Sequence, residues 1–499
     1  MLILFLYGIL IYLSWYKFSL FVLVAWIPIF KILHSNQSKL KTIITSLVLF
    51  IVYNLVVTYW LIEWDVFKGI TVIIINSLLM ALVVFATLVI SKQNTPLRNI
   101  SFIIFWIFFE YIHHVWTFNW PWLTLGNTFA NSPSLIQWYK YTGVLGGSLW
   151  ILLVNLFLYQ QIEKGKIEIK KLGFLLAPIL ISIIIYFYDD ITEKRLQEVS
   201  VGVMLTDFSS YNYVSDSTKY ALAKKEIQSN SRKDLKYILL PETYFKENLW
   251  MEEFGSSKLY RELQHLSKTS KAKIISGYFI NRESDKGIYT RGYGLIKFDQ
   301  YNVAIQIDET DRIPIRIKKV FIPIQEHTPS YLSVLDKEGY ANFKLLNNNK
   351  DYFHTKESKF FVCICYEAIN GIFFSDRWTN ENMIFMLASE SFLNGNETAM
   401  HQYQNICRIR AIEASKFLFK SSNSGLSSVI DEKGNVLSSK KANNKLELLK
   451  WKGYTNDIHT FYSTWGWLIN KAPIVALTLL LLNLLFKKKL VYLHLGNWN

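Results

Sequence analysis

Residues 172–188 read LGFLLAPILISIIIYFY, and residues 200–208 read SVGVMLTDF. The first stretch carries no charge and approaches the length a helix needs to enter a bilayer. The second is a short apolar run of the kind that forms a buried strand. The fold turns on the change between them. Before residue 190 the chain reads as membrane helices; after residue 195 it reads as a water-exposed domain of strands and helices.

Working outward, the 499 residues are 51% hydrophobic and 16% aromatic, and the apolar residues are concentrated in the first 190 or so and again near the C-terminus. Blocks near 2–16, 18–33, 42–63, 69–91, 100–116, 143–162 and 172–188 read as seven spans, and 473–486 as an eighth. The first block has no basic start and no small-residue cleavage site, so it reads as a retained span. Lys31, Lys39, Lys41, then Lys92 and Arg98, then Lys164, Lys166, Lys170 and Lys171, then Lys487–Lys489 all fall on one side of an eight-span chain. The alternate loops hold only Lys17, Lys68 and Lys140. The positive-inside tendency then puts both termini in the cytoplasm and the segment between spans seven and eight outside. In a bacterium this is the inner membrane, with the domain on the periplasmic side. The boundaries expected are 1–190 for spans one to seven, 195–465 for the external domain, 473–486 for the eighth span and 487–499 for a cytoplasmic tail.

The net charge of +15 is spread over loops. No compact run of Lys and Arg interleaved with aromatics points to nucleic acid. Three cysteines, two of them at 363 and 365, argue against a disulfide framework. The nine histidines show no metal-binding spacing of the H-E-x-x-H kind, and His113-His114 reads as interfacial. In HHVWTFNWPWLTLGNTF (113–129), Trp116, Trp120 and Trp122 read as an interfacial aromatic belt or as a lipid-facing rim beneath an external site.

Within the external domain, strands are expected at 200–208, 237–245, 273–280, 291–299, around 303–307, 360–369 and 383–389. Helices are expected at 216–230, 257–270 and 401–417, and paired strands with a turn at Gly434 over 417–437. Strands apolar on both faces, alternating with helices, argue for a sheet covered by helices. Three strand-end residues could carry chemistry together. Glu242 follows Leu240-Pro241, Lys318 opens KKVFIPIQE (318–326), and Cys365 lies near the end of FVCICYEAI (361–369). A carboxylate can take a thiol proton, the thiolate can attack a carbonyl, and an ammonium can hold the oxyanion. Singly, each has a blander reading: a cysteine in an apolar strand is most often inert, and a lone lysine or glutamate is most often solvated. On one strand, Cys363 and Cys365 would share a face.

Glu, Lys and Cys in this order and local setting resemble the nitrilase (carbon–nitrogen hydrolase) superfamily. With the membrane frame, the chain resembles the apolipoprotein N-acyltransferase family within it. LLPET (239–243), KKVFIPIQE (318–326) and CYE (365–367) match its catalytic motifs. NWPWLTLGNTF (119–129), PSLIQW (133–138), GVLGGSLWILLVNLFL (143–158) and TFYSTWGW (460–467) resemble its membrane segments. The resemblance implies a polytopic helical membrane domain of about eight spans with an inserted α/β nitrilase-like domain, an αββα sandwich. It implies Glu242 as base, Lys318 as oxyanion cation and Cys365 as nucleophile, with Glu326 and Glu367 in support. It implies Trp120, Trp122, Ser389, Phe392 and Asn423 as substrate-side residues. The activity implied is transfer of an acyl chain from a phospholipid, through a cysteine thioester, to the N-terminal amine of a diacylglyceryl-cysteine lipoprotein. A monomer without metal or cofactor is implied. A membrane acyltransferase with another amine acceptor, and a membrane-bound amidase, are the alternatives. The sequence departs from the family pattern in three places. Ser389-Glu390-Ser391-Phe392 stands where Asn-Asp-x-Trp is usual, Gln325 stands at a glycine position, and Lys420 stands at an arginine position.

Overall fold

The computed structural model describes residues 2–92, 94–189, 191–208, 214–230, 234–284, 291–293, 296–328, 343, 352–354, 359–378, 380–443 and 445–495. The chain forms two compact units. One comprises Met1–Trp116, Trp120–Ile183 and Trp465–Asn499; the other comprises Thr117–Asn119 and Ile184–Thr464.

The first unit is helical. Among the described residues, five helices are long and apolar enough to cross a membrane: Lys39–Thr58, Val66–Ser91, Tyr139–Lys164, Ile169–Tyr188 and Phe461–Phe486. Leu4–Tyr16 and Ser19–Leu33 are shorter apolar helices. The block expected near 100–116 is the helix Thr95–Val115, which carries Arg98, Glu110, His113 and His114. Asn155 explains why the second block is broken into short pieces. Its side chain accepts from the Trp26 amide at 2.9 Å and donates to the Val22 carbonyl at 2.8 Å, satisfying backbone groups that a continuous helix would pair internally.

The segment after His113 differs from expectation. Trp122 is fully buried and residues 121–130 are buried throughout, so Trp122 is an internal residue of the helical unit, whereas Trp116 and Trp120 stay half-buried. His113 and His114 are buried too. The non-helical backbone here is held by side chains. Glu110 accepts from the Leu125 amide at 2.9 Å, and Ser148 accepts from the Gly126 amide at 2.8 Å. Irregular backbone is tolerated in an apolar unit only when its polar groups are paired in this way.

The second unit is a two-sheet sandwich. Its strands are β1 (Arg195–Leu205), β2 (Tyr237–Leu239), β3 (Phe245–Trp250), β4 (Lys273–Glu283), β5 (Arg291–Tyr293), β6 (Ile296–Ile307) and β7 (Ile315–Ile317) in one sheet. β14 (Glu447–Asn456) completes that sheet. The other holds β8 (Tyr352–His354), β9 (Lys359–Ile364), β10 (Met383–Ser389), β11 (Leu418–Asn423), β12 (Leu426–Ile430) and β13 (Val436–Lys441). The orders are β14-β1-β2-β4-β6-β5, with β3 on β4 and β7 on β6, and β13-β12-β11-β10-β9-β8.

The sheets face each other through aromatic packing: the Tyr237 ring lies 5.2 Å from Phe360 and 5.1 Å from Phe385. Helices Asp216–Ser229 and Lys258–Ser270 pack Tyr220, Ala223, Ile227, Leu263 and Leu266 onto the outer face of the first sheet. Gly371–Arg377 and Glu397–Ala414 cover the second, through Phe374 on Phe361 and Cys407 on Met386. Ser215, Ser257, Asn370 and Asn396 start these helices by accepting from an amide three residues on. The layers are therefore αββα.

Two local expectations change. The segments expected at 291–299 and 303–307 belong, from Ile296, to one continuous strand, β6; residues 294–295 lie outside the described residues. The strand expected over 360–369 stops at Ile364, and Cys365–Ile369 form a short helical turn.

Candidate active site

The end of β2 brings Glu242 to the sandwich edge. Leu240 still donates to the Ile275 carbonyl, and then Pro241-Glu242 turns across β4. Gly277 on β4 permits this approach, since a Cβ there would lie 2.5 Å from the Thr243 nitrogen and 2.7 Å from the Glu242 Cα. Lys318 follows β7, its backbone amide bonded to the Asn302 carbonyl on β6 at 2.8 Å. Cys365 follows β9 with φ +46°, a left-handed conformation unusual for a side-chain-bearing residue. Thr243 (φ 47°) and Ile324 (φ 65°) are strained in the same way. Strain of this kind persists where the surrounding structure over-determines the backbone, and it gathers at reactive sites.

The three candidates meet. Lys318, 0% exposed, donates from Nζ to Glu242 Oε1 at 2.8 Å and to Glu326 Oε1 at 2.6 Å. Glu242 Oε1 also accepts from Asn302 Nδ2 at 2.9 Å, and its Oε2 accepts from the Ser389 amide at 3.1 Å. The Cys365 thiol faces the Ser389 carbonyl, with Sγ 3.7 Å from the oxygen. Ser389 thus touches both the carboxylate and the thiol with its main chain. Glu326 Oε2 accepts from the Ile322 amide, which closes the loop of 318–326 on itself.

The electrostatics follow from burial and charge. Burial alone would lower the Lys318 ammonium, but Glu242 and Glu326 outweigh it and hold the group well above its usual range. Burial, and then the charge of Glu242, pushes the Cys365 thiol well above its ordinary value, while Lys318 opposes the shift. Burial and charge therefore favour the protonated thiol at Cys365 and the ammonium at Lys318. Burial also raises the Glu326 carboxyl, which Lys318 lowers and Glu242 raises again.

Glu367 is fully buried and is fully engaged. Its Oε2 accepts from the Ile364 amide and from Arg316 Nη1, both at 2.7 Å, and its Oε1 accepts from the Lys319 amide at 2.7 Å. One carboxylate thus ties the cysteine turn to the lysine loop.

Sequence reading missed Arg316 and Asn302. Arg316 had a signal: on an extended strand it shares a face with Lys318, two residues on. Asn302 had none, being one polar residue within a β6 run buried from Asp299 to Ile307. Asn423 stands in register with Ser389 across β10 and β11. Asn423 spends its side chain on Thr206 and Phe208, at 2.8 Å from Thr206 Oγ1 and 2.9 Å from the Phe208 amide. Phe392 lies in the short turn Ser391–Leu393. Trp120 and Trp122 belong to the helical unit, stacked on each other at 5.9 Å, with Trp122 also 5.0 Å from Trp60.

Comparison with known proteins supplies two matches of family scale. Residues 7–157 match the apolipoprotein N-acyltransferase N-terminal domain, and residues 210–449 match carbon-nitrogen hydrolase. Among curated relatives, the apolipoprotein N-acyltransferase of Borreliella burgdorferi is 23% identical over 466 residues, covering 88% of this chain and 84% of that protein. Those of Rickettsia typhi (24% over 417 residues; 80% and 79%) and Aquifex aeolicus (26% over 330 residues; 64% and 68%) are similar to it as well.

Proposed function

Because the chain belongs to the apolipoprotein N-acyltransferase family, within the carbon–nitrogen hydrolase superfamily, we propose that it N-acylates lipoproteins by a cysteine-thioester route. The observation that carries the reading is the buried Lys318 ammonium, shared by Glu242 and Glu326 next to Cys365 at a strained strand end.

In this reading Glu242 takes the Cys365 proton as Sγ attacks the ester carbonyl of a membrane phospholipid. An ammonium has three N–H bonds. Two of those on Lys318 are given to carboxylates, and the third is left for the developing oxyanion. The tetrahedral intermediate collapses, and the lysophospholipid alkoxide leaves with the proton from Glu242. The free α-amine of a diacylglyceryl-cysteine then attacks the thioester and gives a proton to Glu242. The amide leaves, and that proton returns to sulfur. Glu326 and Glu367 hold Lys318 and the cysteine turn in place.

The membrane frame supports lipid-anchored substrates for both half-reactions, since a site tethered at the bilayer gains proximity to each. The basic loops support eight crossings of a bacterial inner membrane, with residues 195–465 on the periplasmic side, and a monomer suffices for the site. The test is the intact mass of purified protein given phospholipid, for wild type and Cys365→Ala, followed by a diacylated lipopeptide. An acyl mass on wild type alone, discharged by the lipopeptide to an amide, is expected. An adduct that persists in Cys365→Ala would overturn the nucleophile. Release only as free fatty acid would make the protein a hydrolase.

A further inference from the structure

Outside the residues already given roles, one other buried ion pair adjoins the site. Lys420 Nζ lies 2.5 Å from Glu390 Oε1, and both side chains are 0% exposed. We propose that Glu390 and Lys420 are a positioning pair, which sets the Ser389–Glu390 peptide plane, and with it the Ser389 carbonyl, against Cys365. The proposal deepens the acyl-transfer reading of this site and rests on it.

A peptide group is planar, so the Ser389 carbonyl and the Glu390 N–H turn together. The carbonyl of that plane faces the Cys365 thiol. Its N–H donates to the Asn423 carbonyl at 2.9 Å. One residue back, the Ser389 N–H donates to Glu242 Oε2. The aim of the carbonyl on Cys365 therefore depends on where residue 390 is anchored, and the Ser389 N–H lies in the plane just before it. Its side chain is anchored on three sides. Lys420 sits on the neighbouring strand β11, in register with Met386 of β10. Ser422 Oγ donates to Glu390 Oε1 at 2.8 Å. Gly425 lies flush against the carboxylate, where a Cβ would come within 2.4 Å of Cδ. The Lys420 ammonium in turn lies over the Tyr403 ring, 4.3 Å from its centre.

A buried ion pair is a costly way to add stability, and apolar residues of similar volume often do as well or better. Its value here is directional. A longer cation can span the gap left by a shorter carboxylate, so the pair can be exchanged as a unit with the sign of each charge kept.

The experiment measures the rate of Cys365 alkylation by iodoacetamide against pH, assigned by peptide mass, together with kcat and KM for acyl transfer. The variants are Lys420→Met, Glu390→Gln, Glu390→Asp, Lys420→Arg and the double variant Glu390→Asp/Lys420→Arg. The single variants are expected to alkylate about 10-fold more slowly, the scale of coupling between contacting residues, and to shift the pH limb of the reaction. Their effect on transfer should fall on kcat with KM kept. The double variant is expected to recover wild-type rate and profile. Single variants with wild-type rate and pH profile would overturn the proposal. So would a double variant that folds or alkylates no better than the sum of its parts. Alkylation involves neither acyl donor nor acceptor. Intact coupling with no acyl transfer would therefore sink the functional reading and leave the positioning pair standing.

Discussion

Two buried clusters of charge flank Cys365, and their arithmetic differs. Around Glu367 there is one carboxylate and one guanidinium, and the carboxylate also accepts from two backbone amides. The cluster is balanced in formal charge. Around Lys318 there is one ammonium and two carboxylates, Glu242 and Glu326. That cluster has one negative charge too many for its burial, and the strain appears as a raised Glu326 carboxyl beside a cation held far above its usual range. Balanced buried charge makes a scaffold; unbalanced buried charge makes a proton acceptor.

The comparison breaks most visibly at Lys318. Lys318→Met removes the cation from two carboxylates and from the oxyanion, and acyl transfer should fall by about 10⁴-fold or more, as when one member of a catalytic unit is lost. Transfer from phospholipid to a lipopeptide measures it; activity within tenfold of wild type would place the reaction elsewhere. Glu242→Gln keeps the shape and removes the carboxylate proposed as the base. A loss of about 10²–10⁴-fold in kcat is expected, with the acyl-enzyme forming slowly by intact mass. If Glu326→Gln costs as much or more, the roles of the two carboxylates are reversed.

The balanced cluster should fail differently. Arg316→Met leaves Glu367 buried without its cation, which typically costs about 3–5 kcal/mol in stability. Thermal unfolding in detergent should show the loss, and the protein that remains folded should keep most of its kcat. A large kcat defect in stable protein would mean that Arg316 takes part in the chemistry.

Lys416 gives the mildest test, as a buried amine whose hydrogen bonds go to one neutral residue. It donates to the Asn456 carbonyl and to Asn456 Oδ1, each at 2.7 Å. Burial pushes it down to about 7, against partial opposition from Asp457, Glu381 and Glu432. Between about pH 7 and the ordinary lysine range near 10.5, the unfolded chain therefore binds a proton that the folded chain does not. Stability should rise with pH through that window, by at most about 1.4 kcal/mol per unit, and be lost as pH falls toward 7. Lys416→Gln should flatten the slope measured by denaturant unfolding, and an unchanged slope would assign the dependence to other groups.

Much of this was legible in the chain. Long uncharged blocks and a later change to strand-length runs announce a helical unit and a mixed unit, because bilayer thickness and strand period act over short windows. Glu242, Lys318 and Cys365 stood out by setting and order. What escaped were residues that act through burial or the main chain. Arg316 sits in a three-residue strand and Asn302 is one of several polar residues in a long one; Ser389 was named on the substrate side, but the backbone atoms it contributes are ones any residue would carry. Trp122 misled because an aromatic cluster near a span end reads as a belt, whether it faces lipid or, as here, the interior.

The two cysteines mark the boundary between the two kinds of information. By itself the sequence determined a short apolar strand ending in Cys-Tyr-Glu, and a glutamate and a lysine upstream in a meaningful order. As strand residues, Cys363 and Cys365 were equivalent. In the sequence, only the resemblance of CYE (365–367) to a family motif favoured Cys365, and the tertiary structure supplies the physical difference between the two. It leaves Cys363 inside β9 and turns Cys365 off the strand end at φ +46°. It also brings together Glu242 and Lys318, 76 residues apart, at 2.8 Å beside that turn. A strand pattern reports which face a side chain takes, since that is a local property of the backbone. Which distant charges share a hydrogen bond is set by how strands far apart in sequence pair within a sheet and how the two sheets pack, and no local window of sequence holds that information.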